Sequence, residues 1–174
     1  MELPHIVYLV GFMGCGKTTA GKKLAASLNW SFIDLDKKIE EETGLTINEL
    51  FSTHGEDYFR EVEARTLRSL QFNSNHVIAT GGGTPCFKNN MEYMNSVGCT
   101  VYLKLTPSQL AARLKPALDE RPLIQNIGKE ELLHFIETRL EERSVWYEKS
   151  QFTTNGFGVD IPLINRQVLS HFSY

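Results

Sequence analysis

The chain has 174 residues, 41% of them hydrophobic and 22% charged, a composition that can bury a core and differs from that of disordered chains. This length suits one compact domain spanning residues 1–174. Eighteen basic against 21 acidic residues give a net charge of −3, so no general positive field exists to hold a nucleic-acid backbone, and no nucleic-acid partner is expected.

The opening Met-Glu-Leu-Pro-His-Ile lacks the charged-then-apolar layout of a signal peptide. No run approaches the roughly 18 apolar residues of a membrane span. A cytoplasmic protein without membrane contacts is the expectation. Ile6–Val10 reads as a buried strand and Thr18–Leu28 as a helix. Between them, Gly11-Phe12-Met13-Gly14-Cys15-Gly16-Lys17-Thr18 satisfies the whole phosphate-binding pattern G-x-x-x-x-G-K-[ST] in the strand-before, helix-after setting that the pattern needs. The glycines let backbone N–H groups turn toward phosphate oxygens, and the helix N-terminus adds positive potential. Lys17 is expected to stand exposed in the empty loop and to reach the β and γ phosphates, with the Thr18 hydroxyl on magnesium. Gly14, Cys15, Gly16, Lys17, Thr18 and Thr19 are thus the expected nucleotide-binding residues. Cys15 reads as a small loop residue.

Phe32–Ile33 forms a second short apolar run, ending in Asp34-Leu35-Asp36. Alternate residues of an extended segment point the same way, so both acids can face a metal and an acceptor hydroxyl. Equally, Asp36 can cap a helix starting at Lys37, with Asp34 a turn residue. Helical spacing returns over Leu45–Leu70 in two pieces, opened by Thr46 and Glu49 as a capping box. Within it Arg60 stands among Glu61 and Glu63, and taken alone a solvated i,i+4 ion pair is its plainer reading.

Val77–Ala79 is a third strand and runs into Gly81-Gly82-Gly83. Three consecutive glycines are costly in chain entropy, which points to a tight turn or to close backbone approach to a ligand. A helix over Asn89–Val97 and a strand over Val101–Leu105 follow. Thr106 then caps a helix over Pro107–Leu114 that has proline in its first turn. From Pro116 to Gly128 there is no period, and two prolines mark a long loop of the kind that serves as a lid. A helix over Lys129–Lys149 and a weak strand around Phe152 complete the alternation. Strands separated by helices imply an α/β fold with a parallel sheet covered on both faces.

The three cysteines are odd in number and lack zinc-site spacing, and the five histidines show no ligand pattern. Nothing resembles the N-K-x-D guanine reader of GTPases, and the chain is short for an ATPase coupled to movement. ATP and phosphoryl transfer to a small acceptor is therefore the leading reading.

Taken together, the G-x-x-x-x-G-K-T loop, D-L-D at Asp34–Asp36, F-R-E-x-E at Phe59–Glu63, G-G-G at Gly81–Gly83, R-P-L at Arg121–Leu123, and Arg143 with Tyr147 make the chain resemble the shikimate kinases over nearly its whole length. That resemblance implies a three-layer P-loop kinase fold with a five-stranded parallel sheet flanked by helices and a lid at about 116–128. It implies transfer of the γ-phosphoryl group of ATP to the 3-hydroxyl of shikimate, with ATP and Mg2+ as cofactors. Separately from the resemblance, a monomer is the expected working unit. By the same resemblance Asp36 meets the shikimate hydroxyls, Arg60 and Arg143 meet its carboxylate, Gly82 offers a backbone contact, and Arg121 reaches the ATP phosphates. Lys17, Asp36 and Arg121 become the catalytic set and Thr18 the metal ligand. The chain departs from the family around Lys115-Pro116-Ala117 and at Thr153–Phe157, where the adenine pocket is expected. A gluconate kinase or other small-metabolite kinase of the same fold, and a non-catalytic nucleotide-binding module, are the rival readings.

Overall fold

The computed structural model describes residues 4–70, 72–116, 127–128 and 130–173. Strand β1, Ile6–Val10, is buried along its whole length. It lies at the centre of a five-stranded sheet with β2 (Ser31–Asp34), β3 (His76–Ala79), β4 (Cys99–Lys104) and β5 (Phe152–Asn155), in the order β2-β3-β1-β4-β5. All four strand pairs are parallel, the arrangement in which both faces must be covered by helices. The expected α/β class with a five-stranded parallel sheet is therefore met.

Register decides where the chemistry gathers. Leu9 lies opposite Ala79, and Ala79 lies opposite Asp34, so β1, β3 and β2 end together. The glycine-rich loop after β1, the acids after β2 and the glycine triplet after β3 leave one carboxyl edge, the edge at which parallel sheets bind ligands.

Seven helices flank the sheet among the described residues. Helix α1 (Lys17–Leu28) contacts β1, β2 and β3 and carries α7 (Ile161–Phe172) on its flank. There Asn165 Nδ2 donates to Ser27 Oγ at 2.7 Å. Helix α2 (Leu35–Thr43) starts earlier than the possible helix from Lys37, and its cap is Asp34, whose carboxylate accepts from the Lys37 amide. Asp36 lies inside the first turn and caps nothing. Helix α3 (Ile47–Ser69) has the expected Thr46–Glu49 capping box and is broken at Gly55, where φ is 83° and ψ 172°, so its two-piece character is real.

Helix α4 (Asn90–Val97) leans on β4, and α5 (Pro107–Leu114) opens with Thr106 and Gln109 in a second capping box. Helix α6 (Leu132–Tyr147) runs inside the expected Lys129–Lys149 range. Helix α7 was not expected. Of the proposed lid, residues 117–126, Arg121 among them, lie outside the described residues. No helix among the described residues is long and apolar enough to cross a membrane.

Candidate active site

Helix α1 begins directly from the phosphate-binding loop. Gly11 (φ 145°) and Gly16 (φ 96°) adopt backbone conformations that side chains disfavour, which explains two of the fixed letters, and Gly14 (φ 79°) does the same at a free position of the pattern. Lys17 differs from expectation. It is 8% exposed, and its ammonium folds back to donate to Gly11 O at 2.7 Å and Phe12 O at 3.0 Å. The loop's own carbonyls are the acceptors that spare the buried charge from standing alone. Cys15 is buried under the loop, its thiol 3.7 Å from Lys17 Nζ and its amide donating to Phe12 O at 3.2 Å.

Thr18 Oγ1 donates to Asp34 Oδ2 at 2.8 Å. The other Asp34 oxygen accepts the Lys37 amide, so one carboxylate caps α2 and faces the loop at once. The cavity is lined by Asp34 and also by Asp36. Asp36 is partly buried, and burial first, then the carboxylates of Glu63 and Asp34, push its pKa up to about 6 against the lowering effect of Lys17. A carboxyl poised there can hold or release a proton near neutral pH.

Arg60 is no solvated surface arginine: it is 4% exposed. Its Nη1 donates to Glu63 Oε2 at 2.8 Å, and its Nε and Nη2 donate to Glu56 Oε1 at 3.3 and 3.0 Å. Its guanidinium lies over Phe87 and Phe59, 4.2 and 5.0 Å from the ring centroids. Glu63 is fully buried and also accepts from Thr84 Oγ1 at 2.6 Å. It ties Arg60 to the glycine bend and raises the Asp36 pKa, a role that sequence reasoning missed. Its i,i+3 spacing from Arg60 was the available signal.

The glycine triplet is explained by crowding from protein atoms. A Cβ on Gly81 would lie 2.9 Å from Thr84 Oγ1 and 3.1 Å from Asp36 Oδ1. One on Gly82 would lie 3.0 Å from the Met13 amide, and one on Gly83 2.8 Å from Arg60 Cζ. Tyr147 donates its hydroxyl to Gly82 O at 2.5 Å. One turn back on α6, Arg143 is 9% exposed, lies over the Phe12 ring, and has an Nη1 with no hydrogen-bond partner among the described residues.

Loop, acids, bend and arginines border one cavity of about 560 Å3. Gly14, Gly16, Lys17, Thr18 and Thr19 line one part of it; Asp36, Arg60, Gly82 and Arg143 also line it. Arg113, at the end of α5, donates to Cys15 O at 3.0 Å and Gly156 O at 3.1 Å and faces the Phe157 ring. It joins the phosphate loop to the segment after β5, where the sequence departs from the family pattern.

The shikimate kinase family model matches residues 13–157. A shikimate kinase of Bacteroides fragilis is 48% identical over 146 residues, covering 84% of this chain and 82% of that protein. The crystal structure of a shikimate kinase from Bacteroides thetaiotaomicron superposes with a TM-score of 0.86 at 41% identity, covering 96% of this chain and 97% of that one. A shikimate kinase from Acinetobacter baumannii in complex with shikimate gives 0.84 at 32% identity, covering 99% and 97%.

Proposed function

This chain belongs to the shikimate kinase family, and we propose that one cavity carries its reaction, with ATP on the loop Gly11–Thr18 and shikimate between Asp36, Arg60 and Arg143. The enzyme transfers the γ-phosphoryl group of ATP to the 3-hydroxyl of shikimate, giving shikimate 3-phosphate and ADP for chorismate and aromatic amino-acid biosynthesis. One observation carries the assignment of the acid-binding end. The buried guanidinium of Arg143 has an unpartnered Nη1 and lines the cavity that Lys17 and Asp36 also line. A buried guanidinium nitrogen with no acceptor among the described residues calls for an anionic ligand, and paired planar donors suit a carboxylate.

Asp36 orients the 3-hydroxyl and takes its proton as the hydroxyl oxygen bonds to the γ-phosphorus and the bond to the β-phosphate oxygen breaks. Most of the rate gain in such a transfer comes from positioning and charge. Lys17 leaves the Gly11 and Phe12 carbonyls for the β and γ phosphates. The Gly82 N–H donates to an acceptor oxygen, with its carbonyl fixed by Tyr147. Thr18 and Asp34 present hard oxygen donors that fit Mg2+; Thr18 would hold the ion and Asp34 its water, and the ion would supply charge stabilisation to the phosphates. Arg121, outside the described residues, would add a planar cation on the phosphates.

Both substrates meet groups from a single chain, which supports a monomer, in the cytoplasm where ATP is at hand. ADP release measured with shikimate, gluconate, a nucleoside monophosphate and no acceptor tests the whole reading. Release should depend on shikimate alone. Faster release with gluconate would move the enzyme to a sister activity, and acceptor-independent release would make it a nucleotide-driven module.

A further inference from the structure

Arg60 has five N–H donors, and the empty site already occupies the edge best suited to a paired carboxylate. Nε and Nη2 both donate to Glu56, whereas Nη1 donates to Glu63. The two acids are held very differently. Glu63 has no exposed surface, and its second oxygen accepts the Thr84 hydroxyl, so releasing it would strand a buried charge. Glu56 is 49% exposed and directly follows the break at Gly55. Among the described residues nothing lies within 4 Å of the position a Cβ would take on Gly55. Its carboxylate can turn into water at the small cost of a half-exposed ion pair.

We infer that Glu56 is an internal stand-in for the substrate's acid group: its carboxylate neutralises Arg60 in the empty site and gives way to the carboxylate of shikimate. This rests on the reading of Arg60 as a binder of that carboxylate. Exchange of one carboxylate for another leaves the charge balance at Arg60 unchanged, so Arg60 contributes geometry and Arg143, whose Nη1 has no hydrogen-bond partner among the described residues, contributes net attraction. A neutral acceptor cannot drive Glu56 off, which makes Glu56 a determinant of specificity for acids.

Steady-state kinetics and calorimetric titration of Glu56→Gln test the exchange, with shikimate and with its analogue bearing CH2OH in place of the carboxylate. Glutamine keeps the shape and removes the competing charge. The shikimate KM and Kd should fall by about two- to fivefold, the range expected for a half-exposed pair, with the change in KM rather than kcat and little effect on the neutral analogue. Glu56→Ala should shift affinity in the same direction, and melting curves of both variants show that they are folded. A rise in KM for shikimate would mean that Glu56 only braces Arg60 and would overturn the exchange. Arg143→Lys separates the two levels. If it weakens shikimate selectively while Glu56→Gln changes nothing, the exchange fails and the carboxylate assignment stands; if it weakens both acceptors equally, the assignment itself fails.

Discussion

Asp36 shows how one residue can trade stability for reactivity. Its pKa is raised from the ordinary carboxylate range to about 6 by burial and by Glu63 and Asp34. Between about pH 4 and 6 the native protein holds a proton that the unfolded chain has released. The stabilising contribution is thus full below pH 4 and is lost as pH rises through 6. At pH 7 the folded enzyme carries a charge its surroundings resist. Asp36→Asn should therefore unfold at higher urea, by about 1–3 kcal/mol at pH 7 and by almost nothing at pH 4, while losing most turnover. In the wild type, kcat/KM should rise through an acid limb near pH 6. A limb near pH 4, or an unstabilised Asn variant, would show that the carboxylate is not so poised. Lys17 makes the complementary case. Because its ammonium ties Gly11 and Phe12, Lys17→Ala should lose both turnover and about 1–3 kcal/mol of stability, the scale of a charge-assisted hydrogen bond. Lost turnover at unchanged stability would return Lys17 to the purely electrostatic role that the motif alone suggests. The motif singles out the residue, but what its ammonium touches depends on carbonyls whose direction no letter records.

At the level of elements, caps and breaks were readable because they are local. Thr46 with Glu49 and Thr106 before Pro107 signalled helix starts that the structure contains. Helix α7 had an equally local signal that sequence reading passed over: Asp160 caps it, Pro162 lies in its first turn, and Ile164 and Val168 share its buried face. The short bend after β3 was legible as costly glycine but not for its cause. Gly83 has φ −91° and ψ −13°, which any residue can adopt, so alanine there brings no backbone strain. Its methyl would instead meet the Arg60 guanidinium. Gly83→Ala should fold, raise the shikimate KM by about an order of magnitude as Arg60 shifts, and leave the ATP KM nearly unchanged. Equal rises for both substrates would mean that the bend itself had moved.

The whole molecule supplies what no segment contains: the parallel register that brings the ends of β1, β2 and β3 to one edge, and the enclosure that turns ordinary surface letters into buried charges. Arg143 and Glu63 look alike in sequence to the solvated residues beside them, and only packing separates them. Among the described residues, enclosure leaves one guanidinium nitrogen of Arg143 without a partner, and on the proposed assignment the carboxylate of shikimate supplies it. Saturating shikimate should then stabilise the protein markedly. At a hundredfold excess over Kd the linkage is about 2.7 kcal/mol, or roughly 5–10 °C in melting temperature for a chain of this size. Arg143→Met fills similar space without the charge. It should melt above the wild type when both are empty and show little upward shift with shikimate, yet keep the full shift with a non-hydrolysable ATP analogue, whose loop lies elsewhere in the cavity. An Arg143→Met protein that melts lower when empty would mean that the guanidinium holds the fold together rather than waiting for an acid, and the carboxylate would then have to be bound by Arg60 alone.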